Sequence, residues 1–174
     1  MISSLFSPKK KDKALLEAYN LAVSEHANRV CAYASKLVKD TNFAKDLTQD
    51  AYIKLWKHRK EIDFDKVKSW LFTTTYRLCI DHLRKKSIVV LGTENNTEPW
   101  TTPENCDVKE IIQDAMERLN EVQKSILLLR DYEGYDYKEI GNIMELNESQ
   151  VKVYLFRARK AMKTYIGTPE TIIG

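Results

Sequence analysis

Glycine and proline are scarce, 5 and 4 in 174 residues, which leaves too few turn formers for a sandwich or barrel of many short strands. No apolar run approaches the ~20 residues needed to cross a bilayer. The opening MISSLFSPKKKDK lacks the apolar stretch of a secretory signal, so a cytoplasmic location is expected. Cys31, Cys79 and Cys106 form an odd, scattered set that fits reduced structural thiols better than a disulfide framework. Together with His26, His58 and His82 they offer only Cys79 and His82 at close spacing. A structural zinc site wants about four ligands in compact pairs, and neither CxxC nor HxxxH occurs. There is no glycine-rich phosphate loop and no nucleophile paired with a base, and Asp63 and Asp65 around Phe64 suit an Asp-rich turn better than a catalytic carboxylate pair. The expectation is a non-catalytic protein without metal, cofactor or small-molecule substrate.

What is present favours helices. Apolar residues make up 43% and charged residues 30%, and at about 150 residues per domain the length holds one ordinary domain or two small ones. The net charge of +3 is too small to announce a polyanionic partner, but it is unevenly spread. Residues 1–86 carry +8, residues 87–106 carry −3 and residues 107–174 carry −2, and within the last block 149–163 holds Lys152, Arg157, Arg159, Lys160 and Lys163 with no acid. Two basic surfaces flank an acidic middle.

Apolar residues return at helical spacing in Leu15, Tyr19, Ala22, Val30, Tyr33, Ala34 and Leu37, until Asp40-Thr-Asn interrupts. A second pattern runs through Phe43, Leu47, Ala51, Leu55 and Trp56 to the polar break EIDFDK. A third helix starts near Lys66 and ends in the charged run Arg84, Lys85, Lys86. Residues 88–106 have Gly92, Pro99 and Pro103 and no sustained period, which marks a linker. The expected organisation is all-α: a flexible basic N-terminus (1–13), a helical domain (14–87), the flexible linker (88–106), a second small helical domain (107–166) and a short tail (167–174).

In the second domain Val108, Ile111, Ile112, Ala115 and Leu119 predict one helix, and Asn120 with Gln123 three residues on starts the next, which Gly134 is placed to stop. Asp136 with Glu139, then Asn147 with Gln150, give start signals for two further short helices, an arrangement that suits a helix-turn-helix. Gly141 removes a side chain where those helices need close approach. On the second of them Val151, Leu155, Ala158 and Met162 share one face, with Ser149, Lys152, Val153, Phe156 and Lys160 roughly opposite. Side chains near the start of a recognition helix read base edges in the major groove. Glu148, Ser149, Gln150, Lys152 and Val153 are therefore candidates for bases, while Arg157, Arg159 and Lys160 suit phosphates.

FAKDLTQDAYIKLWKHRKEID followed by VKSWLFTTTYRLCIDHLRKKS resembles region two of the sigma factors of bacterial RNA polymerase. LNEVQKSILLLRDYEGYDYKEIGNIMELNESQVKVYLFRARKAM resembles their region four, and the order and length are similar to the extracytoplasmic-function (ECF) group. The resemblance implies an alternative sigma factor that binds core polymerase and recognises minus-ten and minus-thirty-five promoter elements. It implies that Asp46, Gln49 and Asp50 dock on the clamp coiled coil of the largest polymerase subunit. Phe64, Lys66, Lys68, Tyr76 and Arg77 would then line a pocket for bases extruded from the minus-ten element, with Arg84, Lys85 and Lys86 on phosphates. Promoter DNA, duplex and single-stranded, is the implied partner, and the family admits an anti-sigma protein as another. Trp70, within the family's WLF, is expected in the core. Tyr76-Arg77 stands where the family has Arg-Asn, and Val153-Tyr154 replaces a common Ser-Arg pair. The alternative is a helix-turn-helix transcriptional regulator whose N-terminal helical domain binds an effector or partner.

Overall fold

A computed structural model describes residues 7–89 and 108–167 of the chain. Every regular element among them is helical: α1 (Ser7–Val38), α2 (Thr41–His58), α3 (Val67–Val89), α4 (Val108–Glu117), α5 (Glu121–Leu127), α6 (Tyr137–Met144) and α7 (Glu148–Ile166). A single 3-10 turn, Phe64–Lys66, leads into α3, and a wider π turn, Leu128–Tyr132, prolongs α5. The chain divides into two compact units, residues 1–83 and 84–174. Most of the expected linker, the end of the tail and Cys106 lie outside the described residues. Two boundaries differ from expectation. Helix α1 takes in Ser7 to Lys13, because Pro8 falls in the first turn, where a missing N–H breaks no helical bond. Helix α3 runs to Val89, past the expected linker start.

In the first unit α1 turns into α2 over two residues. Lys39 adopts a left-handed φ of 58°, and Asp40 then caps α2, its Oδ1 accepting from Phe43 N at 3.0 Å. Ala34, Ala44 and Ala51 have no exposed surface, and such small side chains allow close helix approach. Leu55, Leu71, Phe72 and Cys79 fill the rest of the core, with Tyr33 packed edge-on to Phe72 at a centroid distance of 5.3 Å. Burial pushes the Cys79 thiol up to about 12, which makes it a packing group and a poor nucleophile.

Two tryptophans assigned inward by periodicity are placed otherwise. Trp70 is half-buried rather than in the core: Trp70, Leu71 and Phe72 span about 200° of the helix, more than one face can bury, and Leu71 and Phe72 take the inner arc. Trp56 is 38% exposed, with Tyr19 edge-on at 5.0 Å and the Arg59 guanidinium 4.0 Å above its ring.

The second unit is held by three reciprocal capping boxes. Gln123 N donates to Asn120 Oδ1 at 2.9 Å, Glu139 N to Asp136 Oδ1 at 2.8 Å and Gln150 N to Asn147 Oδ1 at 2.8 Å, and each third-position side chain accepts the cap residue's N–H in return. Ile126, Leu129, Ile140, Ile143, Val151, Leu155 and Ala158 form the core. Between α6 and α7 the chain reverses through Glu145, at φ 60°, and Leu146 N bonds Gly141 O at 2.9 Å. A Cβ at residue 141 would stand 2.6 Å from the Leu146 carbonyl oxygen, a backbone atom that cannot swing aside. Gly141→Ala is therefore expected to destabilise the second unit by about 2 kcal/mol, at the level of an overpacked core. Urea unfolding of the full chain measures this, and an unchanged midpoint would show that the turn has slack.

Candidate nucleic-acid and polymerase surfaces

Helix α7 is the best-defined functional element. Its buried stripe of Val151, Leu155 and Ala158 fixes its rotation, and the Asn147 cap fixes its start. Glu148, Ser149, Gln150, Lys152, Val153, Arg157, Arg159 and Lys160 all reach solvent, so every candidate on this helix lies on the outward surface. Their surroundings are not equivalent. The Gln150 Oε1 accepts the Asn147 N–H at 2.9 Å, so a bidentate contact to adenine competes with the cap. Arg159 Nη2 lies 2.7 Å from Asp131 Oδ1, which ties the helix to the π turn and gives this arginine a positioning role within the domain. Lys152 Nζ sits 5.6 Å from the centroid of the Tyr137 ring, and the Arg130 guanidinium carbon 4.9 Å from the same ring, with Arg130 Nη1 donating to Tyr135 O at 2.7 Å. Tyr137 and Arg130 thus join the recognition surface. Sequence reading missed them because the contact joins three separate elements.

On α2, Leu47, Ala51 and Leu55 face inward, while Asp46, Gln49 and Asp50 are exposed on the other side, as the docking assignment requires. Ile53 continues the exposed stripe one turn further and is 49% exposed, an apolar group beside the acidic ones. Behind this face Tyr52 Oη donates to Ala22 O at 3.3 Å and Tyr19 Oη to Tyr52 O at 3.5 Å. Burial is the main cause pushing the Tyr52 phenol up to about 12, with Tyr19 adding to it.

The third group is less coherent. Asp63 closes the turn before α3, accepting from Asp65 N at 3.1 Å, and its carboxylate is 3.8 Å from the exposed Lys66 Nζ. Phe64, Lys68 and Tyr76 are half-buried, whereas Arg77, Arg84, Lys85 and Lys86 are exposed. By helical spacing Arg77 and Arg84 share a stripe, Tyr76 lies about a quarter-turn away and Lys68 points toward the packed side. The candidates follow a surface that winds along α3 rather than one face. His82 stacks on Phe43 with centroids 3.8 Å apart, fastening α3 to α2. Among the described residues no group of three or more His, Cys, Asp or Glu is gathered as a metal site would need, and no helix is long and apolar enough to cross a membrane.

The Arg159–Asp131 pair is short but its side chains are 54% and 38% exposed, so its coupling should stay below about 1 kcal/mol. A double-mutant cycle of Arg159→Ala and Asp131→Ala, read by urea unfolding, is expected to give about 0.5 kcal/mol. Zero coupling would return Arg159 to the set of free phosphate-binding cations.

Two family models match this chain in sequence order, Sigma-70 region 2 over residues 22–88 and Sigma-70, region 4 over residues 109–162. The ECF RNA polymerase sigma factor SigM of Bacillus subtilis is 28% identical over 144 residues, covering 79% of this chain and 88% of that protein. SigL of Mycobacterium tuberculosis, of the same group, is 25% identical over 147 residues, covering 80% and 83%. Among solved structures, the sigma factor RpoE bound to the anti-sigma factor NepR from Bartonella quintana aligns with a TM-score of 0.64 at 20% identity, covering 91% of this chain and 97% of that one. CnrH in complex with the cytosolic domain of CnrY gives 0.62 at 16% identity, covering 86% and 87%, and both likenesses are of fold. With both regions matched in order, and with relatives of one kind aligned over most of its length, the chain belongs to the ECF sigma factors, alternative sigma factors that direct transcription initiation.

Proposed function

We propose that the two units divide promoter recognition between them. Residues 14–87 bind core polymerase through Asp46, Gln49 and Asp50 and hold the opened minus-ten element along α3, and residues 107–166 bind the duplex minus-thirty-five element through α7. The protein adds specificity and leaves the chemistry to the polymerase. The observation that carries this reading is α7, a capped second helix of a helix-turn-helix whose exposed side holds five cations and no acid between residues 149 and 163. A charge pattern of that kind draws a helix to phosphates and leaves its first turns against base edges. A helix-turn-helix regulator of another class would have the same α7, but it leaves the match of residues 22–88 to Sigma-70 region 2 without a purpose. The two fold neighbours are complexes of sigma factors with an anti-sigma protein or a cytosolic partner domain, and we extend to this chain an anti-sigma partner of unspecified identity.

Core polymerase mixed with this protein on genomic DNA is expected to start transcripts at a shared promoter sequence that neither component uses alone, and sequencing the 5′ ends reads out both elements. Absence of any common start would refute the proposal. Asp46→Ala with Gln49→Ala is expected to reduce co-purification with core polymerase at unchanged stability, since both side chains are exposed. Full retention would place the docking face elsewhere. Lys152→Ala with Arg157→Ala should weaken minus-thirty-five binding and reduce the slope of log K against log[salt] by roughly 2, one per lost phosphate contact.

A further inference from the structure

We infer that Val153 and Phe156 read thymine, their apolar side chains meeting C5-methyl groups on successive base steps of the duplex that α7 binds. The inference rests on α7 being the promoter-recognition helix. Val153 is 46% exposed and Phe156, at 68%, is more exposed than the other large apolar residues among the described ones. The packing of the domain does not need either of them, because Val151, Leu155 and Ala158 fill the core from the opposite side of the helix. An aromatic ring held in water on an otherwise polar, basic face marks a surface that is covered in use.

The spacing names what covers it. At 100° per residue Ser149, Val153, Phe156 and Lys160 fall within an arc of about 60°, so the apolar pair sits in the middle of the outward stripe. A rise of 1.5 Å per residue separates the pair by about 4.5 Å along the axis, close to the ~3.4 Å between base pairs. Lys152, Arg157 and Lys160 flank the pair and are exposed, which gives the face the charge to hold a phosphate backbone on either side. An acidic protein surface would satisfy the cations but not the apolar centre between them. Duplex DNA satisfies both, because thymine alone of the four bases shows an apolar group, its C5-methyl, in the major groove. The deep, narrow major groove of an RNA duplex excludes the helix. Gln150 has its oxygen committed to the Asn147 N–H, so less of the helix's discrimination falls to it and more to the apolar pair.

The test uses holoenzyme reconstituted from core polymerase and the full chain, bound to a promoter duplex carrying the mapped minus-thirty-five element. Each thymine of that element, on both strands, is replaced in turn by deoxyuridine, which removes one methyl group and keeps every hydrogen bond. Binding is expected to fall about fourfold at one or two adjacent positions, the worth of one buried methyl. Val153→Ala and Phe156→Ala should bind the thymine duplex more weakly and no longer distinguish it from the deoxyuridine duplex at those positions. Val153→Thr, isosteric and equally exposed, should lose the distinction without any change in fold. Lys160→Ala should weaken both duplexes equally. Promoter-specific binding that is indifferent to every methyl, or discrimination that survives both alanine variants, overturns the inference and leaves the promoter-binding reading standing. Absence of promoter-specific binding overturns both.

Discussion

The backbone of the second unit closes on itself at Gly141, where the Leu146 carbonyl occupies the space of a Cβ and the Leu146 N–H returns to the Gly141 carbonyl. That approach sets the angle between α6 and α7, and the angle decides whether α7 stands out from the domain as a reading head or lies flat on it. The Asn147 box starts α7 immediately after the turn, and Val151 locks its rotation, so a few residues determine which side chains face outward. Rigidity of this kind reduces the ordering cost of binding, because the cations and the apolar pair are in place before DNA arrives.

The charge of the chain follows the same division of labour. A net +3 is the remainder of a strongly basic first segment, an acidic middle and a basic stripe on one helix. Like charges concentrated at two sites raise association rates with a polyanion far more than the same charges scattered would, and an acidic middle keeps the intervening surface off the backbone. The exposed acids of α2 have the opposite preference, which suits a protein partner rather than DNA on that face.

Capping residues, helix periods and the one glycine at a crossing were legible because each signal lies within a few residues of its effect. Asn120, Asp136 and Asn147 each cap the helix their spacing announced. What joins distant segments was not legible. Nothing local says that Arg159 bonds Asp131, that Tyr137 lies beside both Arg130 and Lys152, or that His82 stacks on Phe43. Trp70 shows the limit of periodicity from another side: with three adjacent large residues, only the packing of the neighbouring helices decides which is left partly outside. Ile53 went unread because an aliphatic residue on a helix is taken for core unless its angle is checked against the buried set.

Helix α3 carries the tightest conflict. Its inner arc must hold the core through Leu71, Phe72 and Cys79, and its outer arc must offer aromatic and cationic groups, so there is little freedom to optimise either. Thr75 displays the strain of this arrangement: it is wholly buried, and its hydroxyl has no hydrogen-bond partner among the described residues. A buried hydroxyl without a partner costs on the order of 1–3 kcal/mol. Tyr19, Tyr52 and the Ala22 carbonyl act in the other direction, bracing α1 against α2 through hydrogen bonds as well as ring contacts. The first unit therefore has a stiff α1–α2 frame and a less fully satisfied α3. Such a distribution lets the frame keep its surface for a protein partner while α3 retains the freedom to adjust to extruded bases.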